Sequence, residues 1–396
     1  MLGMSAAPIL ASLGPLRIVD HSLSTYWPMA VVLALLAGVI WMWVWWTRRG
    51  HRLPGIPRWR RGILHVAWGL GVLTAMTLAA ALGVNAYAGY IPSFTALHLY
   101  VAGPASLDPS AVAHFGAGGG LVTGSSAQPS ASPSRSTVLQ ATIPSQSPHV
   151  PGGPALIYLP AGYETGTARY PVVYALHGSP GTASDWFVAG QSQRLLDRLI
   201  TSHRIPPVIL VSPQVTAGVH VLDEPLNEPD GPQYEHYVST DVVRWTDAHL
   251  RTVAQPDGRV IAGMSSGGLG AFAIGAHNPN VFAGAGVLLP YLHPYTAAVK
   301  ESPRARAENS PLQAIRTAPD AGPAGQHYYI GQDPNGAVGA RRMVAGLREA
   351  GRTAHLRIFR KAHHNWVAVR TMLPPALEWL AHQLHWAAPT APATSD

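Results

Sequence analysis

Two long apolar runs open the chain, and a different texture follows them. Residues 28–46 are nineteen consecutive uncharged positions, enough for about 30 Å of helix and therefore for one bilayer span. A second uncharged stretch, 62–90, holds another span of about twenty residues beginning near Ile63. Trp41, Trp43, Trp45 and Trp46 crowd the end of the first run, where indole rings favour the headgroup layer. Residues 1–25 are mildly apolar but broken by Pro8, Pro15, Arg17 and Asp20, and they lack the charged start of a cleaved signal peptide.

Between the two runs lie Arg48, Arg49, Arg52, Arg58, Arg60 and Arg61. Basic residues in a short loop between spans stay on the cytoplasmic side and meet anionic headgroups, so residues 47–61 are expected inside and everything after the second span outside. Residues 93–136 are rich in Gly, Ser, Ala and Pro without helical or strand periodicity, which reads as a flexible linker. The organisation expected is an extracytoplasmic lead-in (1–25), a two-helix anchor (26–92, crossing at 28–46 and 63–90), the linker (93–136), a catalytic domain (137–386) and a disordered tail (387–396).

From Thr137 onward short apolar strands alternate with amphipathic helical segments. Strands are expected at 138–143, 155–159, 172–176, 208–211, 260–262, 285–289, 327–330 and 355–359, and helices at 193–201, 238–251, 269–276, 337–350 and 367–384. That alternation implies an α/β fold, a mostly parallel sheet with helices on both faces.

Composition adds exclusions. The chain has 47% hydrophobic and 12% charged residues, consistent with a membrane segment. The +7 formal charge is concentrated in the loop between the spans and argues against a nucleic-acid partner. With no cysteine there is neither a disulfide framework nor a thiolate metal site, and the nineteen histidines show no H-E-x-x-H spacing, so no metal or cofactor is expected.

The candidate chemistry lies in Gly263-Met264-Ser265-Ser266-Gly267-Gly268, where an apolar strand enters a Gly-rich turn and a small-residue helix. A G-x-S-x-G turn of this kind presents its serine on a strained strand-to-helix corner, which makes Ser265 the candidate nucleophile. An alkyl hydroxyl needs a base, and the base an orienting carboxylate, in the chain order serine, acid, histidine. Asp333 follows the strand at 327–330, and His363 and His364 follow the strand at 355–359. Asp223, Asp230 and Asp257 also sit in loops, but they precede Ser265. Backbone N–H donors for an oxyanion are expected from Ser266 and from Gly178 or Ser179 in the His177-Gly178-Ser179-Pro180-Gly181 turn.

In combination, ALIYLPAGY (155–163), PVVYALHGSPGTASDW (171–186), DVVRWTDAHLRT (241–252), AGMSSGG (262–268) and HHNW followed by LPPALEWL resemble the esterase family of the α/β-hydrolase superfamily. This family includes S-formylglutathione hydrolase, feruloyl esterases and the mycobacterial antigen 85 mycolyltransferases. The resemblance covers about 225 residues, and it implies an α/β-hydrolase fold and serine hydrolase activity. The family's histidine two positions before a tryptophan transfers the base to His364 rather than His363. The spans ahead of the domain resemble membrane-anchored actinobacterial members, whereas antigen 85 proteins are secreted free. The expectation is a membrane-anchored, multi-pass serine esterase facing outside the cell, with catalytic residues Ser265, Asp333 and His364, acting on an ester of a lipid or cell-envelope component. The alternatives are acyl transfer to a sugar or lipid hydroxyl through the same acyl-enzyme, and an inactive hydrolase fold used as a binding module.

Overall fold

The computed structural model describes residues 22–48, 58–94, 97, 136–216, 223–322 and 325–387. The lead-in as far as residue 21, most of the Arg-rich loop, nearly all of the expected linker and the tail from residue 388 lie outside the described residues. The chain divides into two compact units, Met1–Gly103 and Pro104–Asp396.

The first unit is a pair of helices, α1 (Trp27–Arg48) and α2 (Arg58–Ala88), packed against each other. They hold apolar stretches at Trp27–Trp45 and His65–Ala88, both long and apolar enough to cross a membrane and almost wholly uncovered by protein. Val31, Leu35, Trp41, Leu70, Leu73 and Val84 all point outward. Trp43 stacks on Trp68 with ring centroids 5.0 Å apart. At the other end of the pair Asn85 closes the hairpin. Its Nδ2 donates to the Leu23 and Ile91 carbonyls at 2.7 and 2.8 Å, and its Oδ1 accepts the Ile91 N–H at 2.8 Å. A polar side chain among apolar ones is thus satisfied by backbone groups that the helix ends leave unpaired.

The second unit is built on one eight-stranded sheet. Its strands are β1 (Thr137–Ile143), β2 (Gly153–Leu159), β3 (Val172–Leu176), β4 (Ile209–Pro213), β5 (Arg259–Met264), β6 (Gly284–Leu288), β7 (His327–Gln332) and β8 (Thr353–Ile358). The spatial order is β1-β2-β4-β3-β5-β6-β7-β8; the first three pair antiparallel, and every other pair is parallel. β3, β4, β5 and β6 are buried along their whole length, as a parallel sheet covered on both faces requires.

The connecting segments supply short helices α3 (Asp185–Val188) and α4 (Ser192–Thr201), and then helix α5, residues 234–249, which contains a π-helical stretch at Tyr237–Val242. After β5 comes α6 (Ser266–His277), and after β6 come α7 (Ala297–Glu301), α8 (Pro303–Asn309) and α9 (Pro311–Thr317). The last two are α10 (Ala337–Glu349) and α11 (Trp366–Gln383). Tyr174, Ile261, Phe272, Val287, Tyr328 and Leu347 form part of the core between the sheet and α5, α6 and α10. α11 covers β6 and β7 and packs against α4. This is the mostly parallel α/β sheet expected from the strand–helix alternation, in the α/β-hydrolase arrangement that the family resemblance implies.

Candidate active site

The parallel strands all end on one edge, and the candidate residues collect there. β5 delivers Ser265 with φ 59° and ψ −118°, a conformation that a non-glycine residue holds only when its surroundings enforce it, at about 1–3 kcal/mol. The Ser265 N–H donates to the Leu288 carbonyl at 3.0 Å, and its own carbonyl accepts the Leu269 N–H at 3.0 Å, so the turn is tied to β6 on one side and to α6 on the other. The flanking glycines are required by close approach: a Cβ on Gly263 would lie 1.9 Å from the Gly267 carbonyl oxygen, and one on Gly267 would lie 2.3 Å from the Leu176 carbonyl oxygen. The tightness of the turn itself therefore selects Gly263, and its packing against the end of β3 selects Gly267.

His364 meets this serine directly. Its Nε2 lies 2.8 Å from Ser265 Oγ, the geometry in which the hydroxyl donates to a neutral imidazole. It is His364, and not the adjacent His363, that makes this bond. The next residue fixes its position: Asn365 caps α11, its Oδ1 accepting the Ala368 N–H at 3.0 Å. Trp366, buried behind it, packs edge-on against Trp186 with ring centroids 5.4 Å apart, and Arg370 Nη1 donates to the Ala189 carbonyl at 2.7 Å. The start of α11 is thereby bound to the segment that follows β3. Burial lowers the pKa of Arg370 to about 10.

Although the His364 side chain reaches solvent, much of its ring is surrounded by protein. Desolvation outweighs the opposing influence of the Asp333 carboxylate and holds its pKa below the ordinary histidine value. The ring is therefore neutral, and able to accept a proton, at pH 7.

Asp333 is buried just beyond β7. Its Oδ1 accepts the Gly336 N–H at 3.0 Å, and its own N–H donates to Gln332 Oε1 at 2.9 Å. The Gln332 Nε2 in turn donates to the Pro290 carbonyl at 2.8 Å, tying this corner to the loop after β6. Asp333 acts on His364 through space, and among the described residues no hydrogen bond joins the two. Asp223, excluded by chain order, lies elsewhere in the site: its N–H donates to Ser179 Oγ at 3.1 Å.

The turn after β3 leans on the elbow. A Cβ on Gly178 would meet Ser265 Cβ at 3.4 Å and Met264 Sδ at 3.0 Å. His177 is fully buried, and desolvation lowers its pKa to about 4, so it is neutral. Its Nδ1–H donates to the Gly178 carbonyl at 2.8 Å, while Nε2 accepts the Val215 N–H at 3.2 Å. This histidine braces the turn against the end of β4, a role that its place in the sequence motif does not disclose. Asp185 closes the loop by accepting from the Thr182 N–H and Oγ1 at 3.2 and 3.0 Å. Ser266 is the first residue of α6, where helix N–H groups have no intrahelical acceptor. Of the contacts that steady the site, the Asn365 cap was readable beside an expected helix, whereas the Trp186–Trp366 pair and the His177 brace join residues far apart in the chain.

The family described as "Putative esterase" matches residues 154–380, more than half of the chain. An esterase of Mycobacterium tuberculosis is 34% identical over 136 residues, 33% of this chain and 27% of the relative, so the match spans about a quarter of that relative's length. Among solved structures, a ferulic acid esterase superposes with a TM-score of 0.55 at 21% identity, covering 63% of this chain and 98% of that one. An S-formylglutathione hydrolase from Agrobacterium tumefaciens superposes with a TM-score of 0.51 at 18% identity, covering 63% and 95%. At those identities the likeness is one of fold. With the family match spanning β2 to α11, the chain belongs to the putative esterase family of the α/β-hydrolase superfamily.

Proposed function

We propose that this chain is a membrane-anchored serine esterase whose catalytic domain faces away from the cytoplasm. The observation that carries the chemistry is the 2.8 Å contact between His364 Nε2 and Ser265 Oγ at the strained corner. Ser265 Oγ attacks the ester carbonyl as its proton passes to His364 Nε2, forming a tetrahedral oxyanion. The Ser266 N–H and an N–H of the Gly178–Ser179 turn stabilise that oxygen; one such donor is worth about 3 kcal/mol. Collapse breaks the bond to the leaving oxygen, which takes the proton from His364 and departs as the alcohol. Water then attacks the acyl-enzyme, gives its proton to His364, and the second collapse returns that proton to Ser265 and frees the carboxylic acid. Asp333 stabilises the imidazolium formed in each half.

Purified full-length protein is expected to react with a fluorophosphonate at the peptide bearing Ser265 and to hydrolyse simple esters. No label and no turnover would instead leave a hydrolase fold used for binding. Product analysis with an alcohol acceptor separates hydrolysis from acyl transfer, since both pass through the same acyl-enzyme.

The anchor is supported by the two uncovered apolar helices, and its orientation by the arginines between them. The chain has no cysteine, so a single Val338→Cys on the exposed face of α10 provides a unique label. A membrane-impermeant maleimide is expected to modify it in intact cells. Modification only after lysis would reverse the orientation.

A further inference from the structure

The loop after β6 leads away from the catalytic edge of the sheet into α7, α8 and α9 and encloses a cleft of about 440 Å³, within the size range of small-molecule sites. His293, Tyr295, Lys300, Arg306 and Ser310 line it. Its charge is one-sided. Lys300 and Arg306 reach into it from consecutive helices, and among the described residues neither has an ion-pair partner. The nearby Glu308 is engaged by Arg304 at 2.8 Å. Ser310 is 4% exposed, yet its Oγ has no hydrogen-bond partner. A buried hydroxyl without a partner is uncommon and points to a missing one. No hydrogen bond has to break for a turn about χ1 to bring this covered hydroxyl toward a ligand in the cleft that Ser310 lines.

Hydrogen bonds of two consecutive residues join the wall of the cleft to the turn after β3. Glu224, 2% exposed, accepts the Tyr295 and Thr296 N–H groups, each at 2.9 Å, and the Tyr291 hydroxyl at 2.6 Å, which fixes one wall. The preceding residue, Asp223, donates its N–H to Ser179 Oγ, one residue from Gly178, where an added Cβ would meet Ser265 Cβ at 3.4 Å. Gln332 holds the base of the same loop at Pro290, next to Asp333. The wall of the basic cleft and the candidate oxyanion turn are therefore positioned by adjacent residues.

We propose that this cleft binds an anionic group, a phosphate or phosphate ester, carried by the ester substrate. Lys300 and Arg306 neutralise its charge, and the Ser310 hydroxyl donates to one of its oxygens. The proposal rests on the esterase reading and deepens it: the substrate class is an acyl ester of a phosphate-bearing alcohol, either a lipid headgroup or a soluble phosphate ester.

The test uses the full chain in neutral detergent with two esters of the same fatty acid, a monoacylglycerol and a monoacylglycerol phosphate. At low salt the wild type is expected to show a kcat/KM ratio of tenfold or more in favour of the phosphate ester. That ratio should fall at least tenfold in Lys300→Ala/Arg306→Ala, less in Ser310→Ala, and also in wild type as salt is raised. Competition by soluble glycerol phosphate identifies a soluble source, and competition by phosphatidylglycerol but not phosphatidylcholine in mixed micelles identifies a lipid headgroup. Equal handling of the two esters by wild type, or a ratio preserved in the double variant, overturns the proposal. Fluorophosphonate labelling of Ser265 reports on the catalytic reading separately. Should turnover be absent, equilibrium dialysis with radiolabelled glycerol phosphate decides: binding lost in the double variant sustains the site, and equal binding by both proteins, or none by either, rejects it.

Discussion

Ser265→Ala is expected to abolish fluorophosphonate labelling and to lower kcat/KM for any accepted ester by about a millionfold, the scale set by removing the nucleophile of a serine hydrolase. On the proposed mechanism the loss is this large because Ser265 supplies the oxygen of the acyl bond and is, at the elbow, the hydroxyl that His364 meets. Ser265 alone occupies the corner at φ 59° with His364 Nε2 at 2.8 Å. His364→Ala should lose nearly as much, since the hydroxyl is a weak nucleophile without its base. The two side chains act as one unit, so the double variant should be no worse than either single one. Additive losses would show that they work in separate steps. Retained hydrolysis in His364→Ala together with loss in His363→Ala would move the base to the neighbouring residue.

Asp333→Asn carries the second large effect, a fall in kcat of about a hundredfold to ten-thousandfold, with a pH signature that a merely structural change would not produce. The rate depends on neutral His364, so kcat/KM rises as this ring loses its proton. In wild type that limb lies below the ordinary histidine value because burial outweighs Asp333. Asp333 is the influence that raises the pKa, and its removal leaves desolvation unopposed. The acid limb of the variant must therefore shift to still lower pH even as the plateau falls. A limb that stays in place or moves upward would exclude Asp333 as the partner of His364 and direct the search to another carboxylate. The absence of a direct Asp333–His364 bond in this conformation makes the pH profile the sharper readout, because through-space influence persists without that bond.

The helices that the sequence reading passed over have local causes. α8 and α9 each start at a proline that follows a serine, Ser302-Pro303 and Ser310-Pro311, which is a helix-start signal hidden by the short length of the segments. α6 begins three residues earlier than its periodicity suggested, since Gly267, Gly268 and Gly270 are poor helix formers that close approach to Leu176, Leu288 and Pro225 nevertheless requires. α5 starts at Tyr234 rather than 238 and contains a π-helical stretch, an irregularity that hydrophobic spacing does not report.

What the sequence by itself determined about this protein are the features written in short-range pattern. The lengths of two apolar runs, the arginines between them, the alternation that yields an α/β sheet and the G-x-S-x-G turn all depend on neighbours within a few residues. The order of Ser265, Asp333 and His364 along the chain was legible for the same reason: each follows its own strand. The family resemblance named His364 rather than His363, but only the tertiary structure shows which of the two meets Ser265, because that depends on the Asn365 cap and on Trp366 packing against Trp186, 180 positions away. It also decided that His177 is a buried brace, neutral at pH 7, and that a basic cleft is linked through Asp223 and Glu224 to the candidate oxyanion turn. Those outcomes depend on desolvation and on contacts between distant segments, which exist only once the sheet has brought its strand ends together.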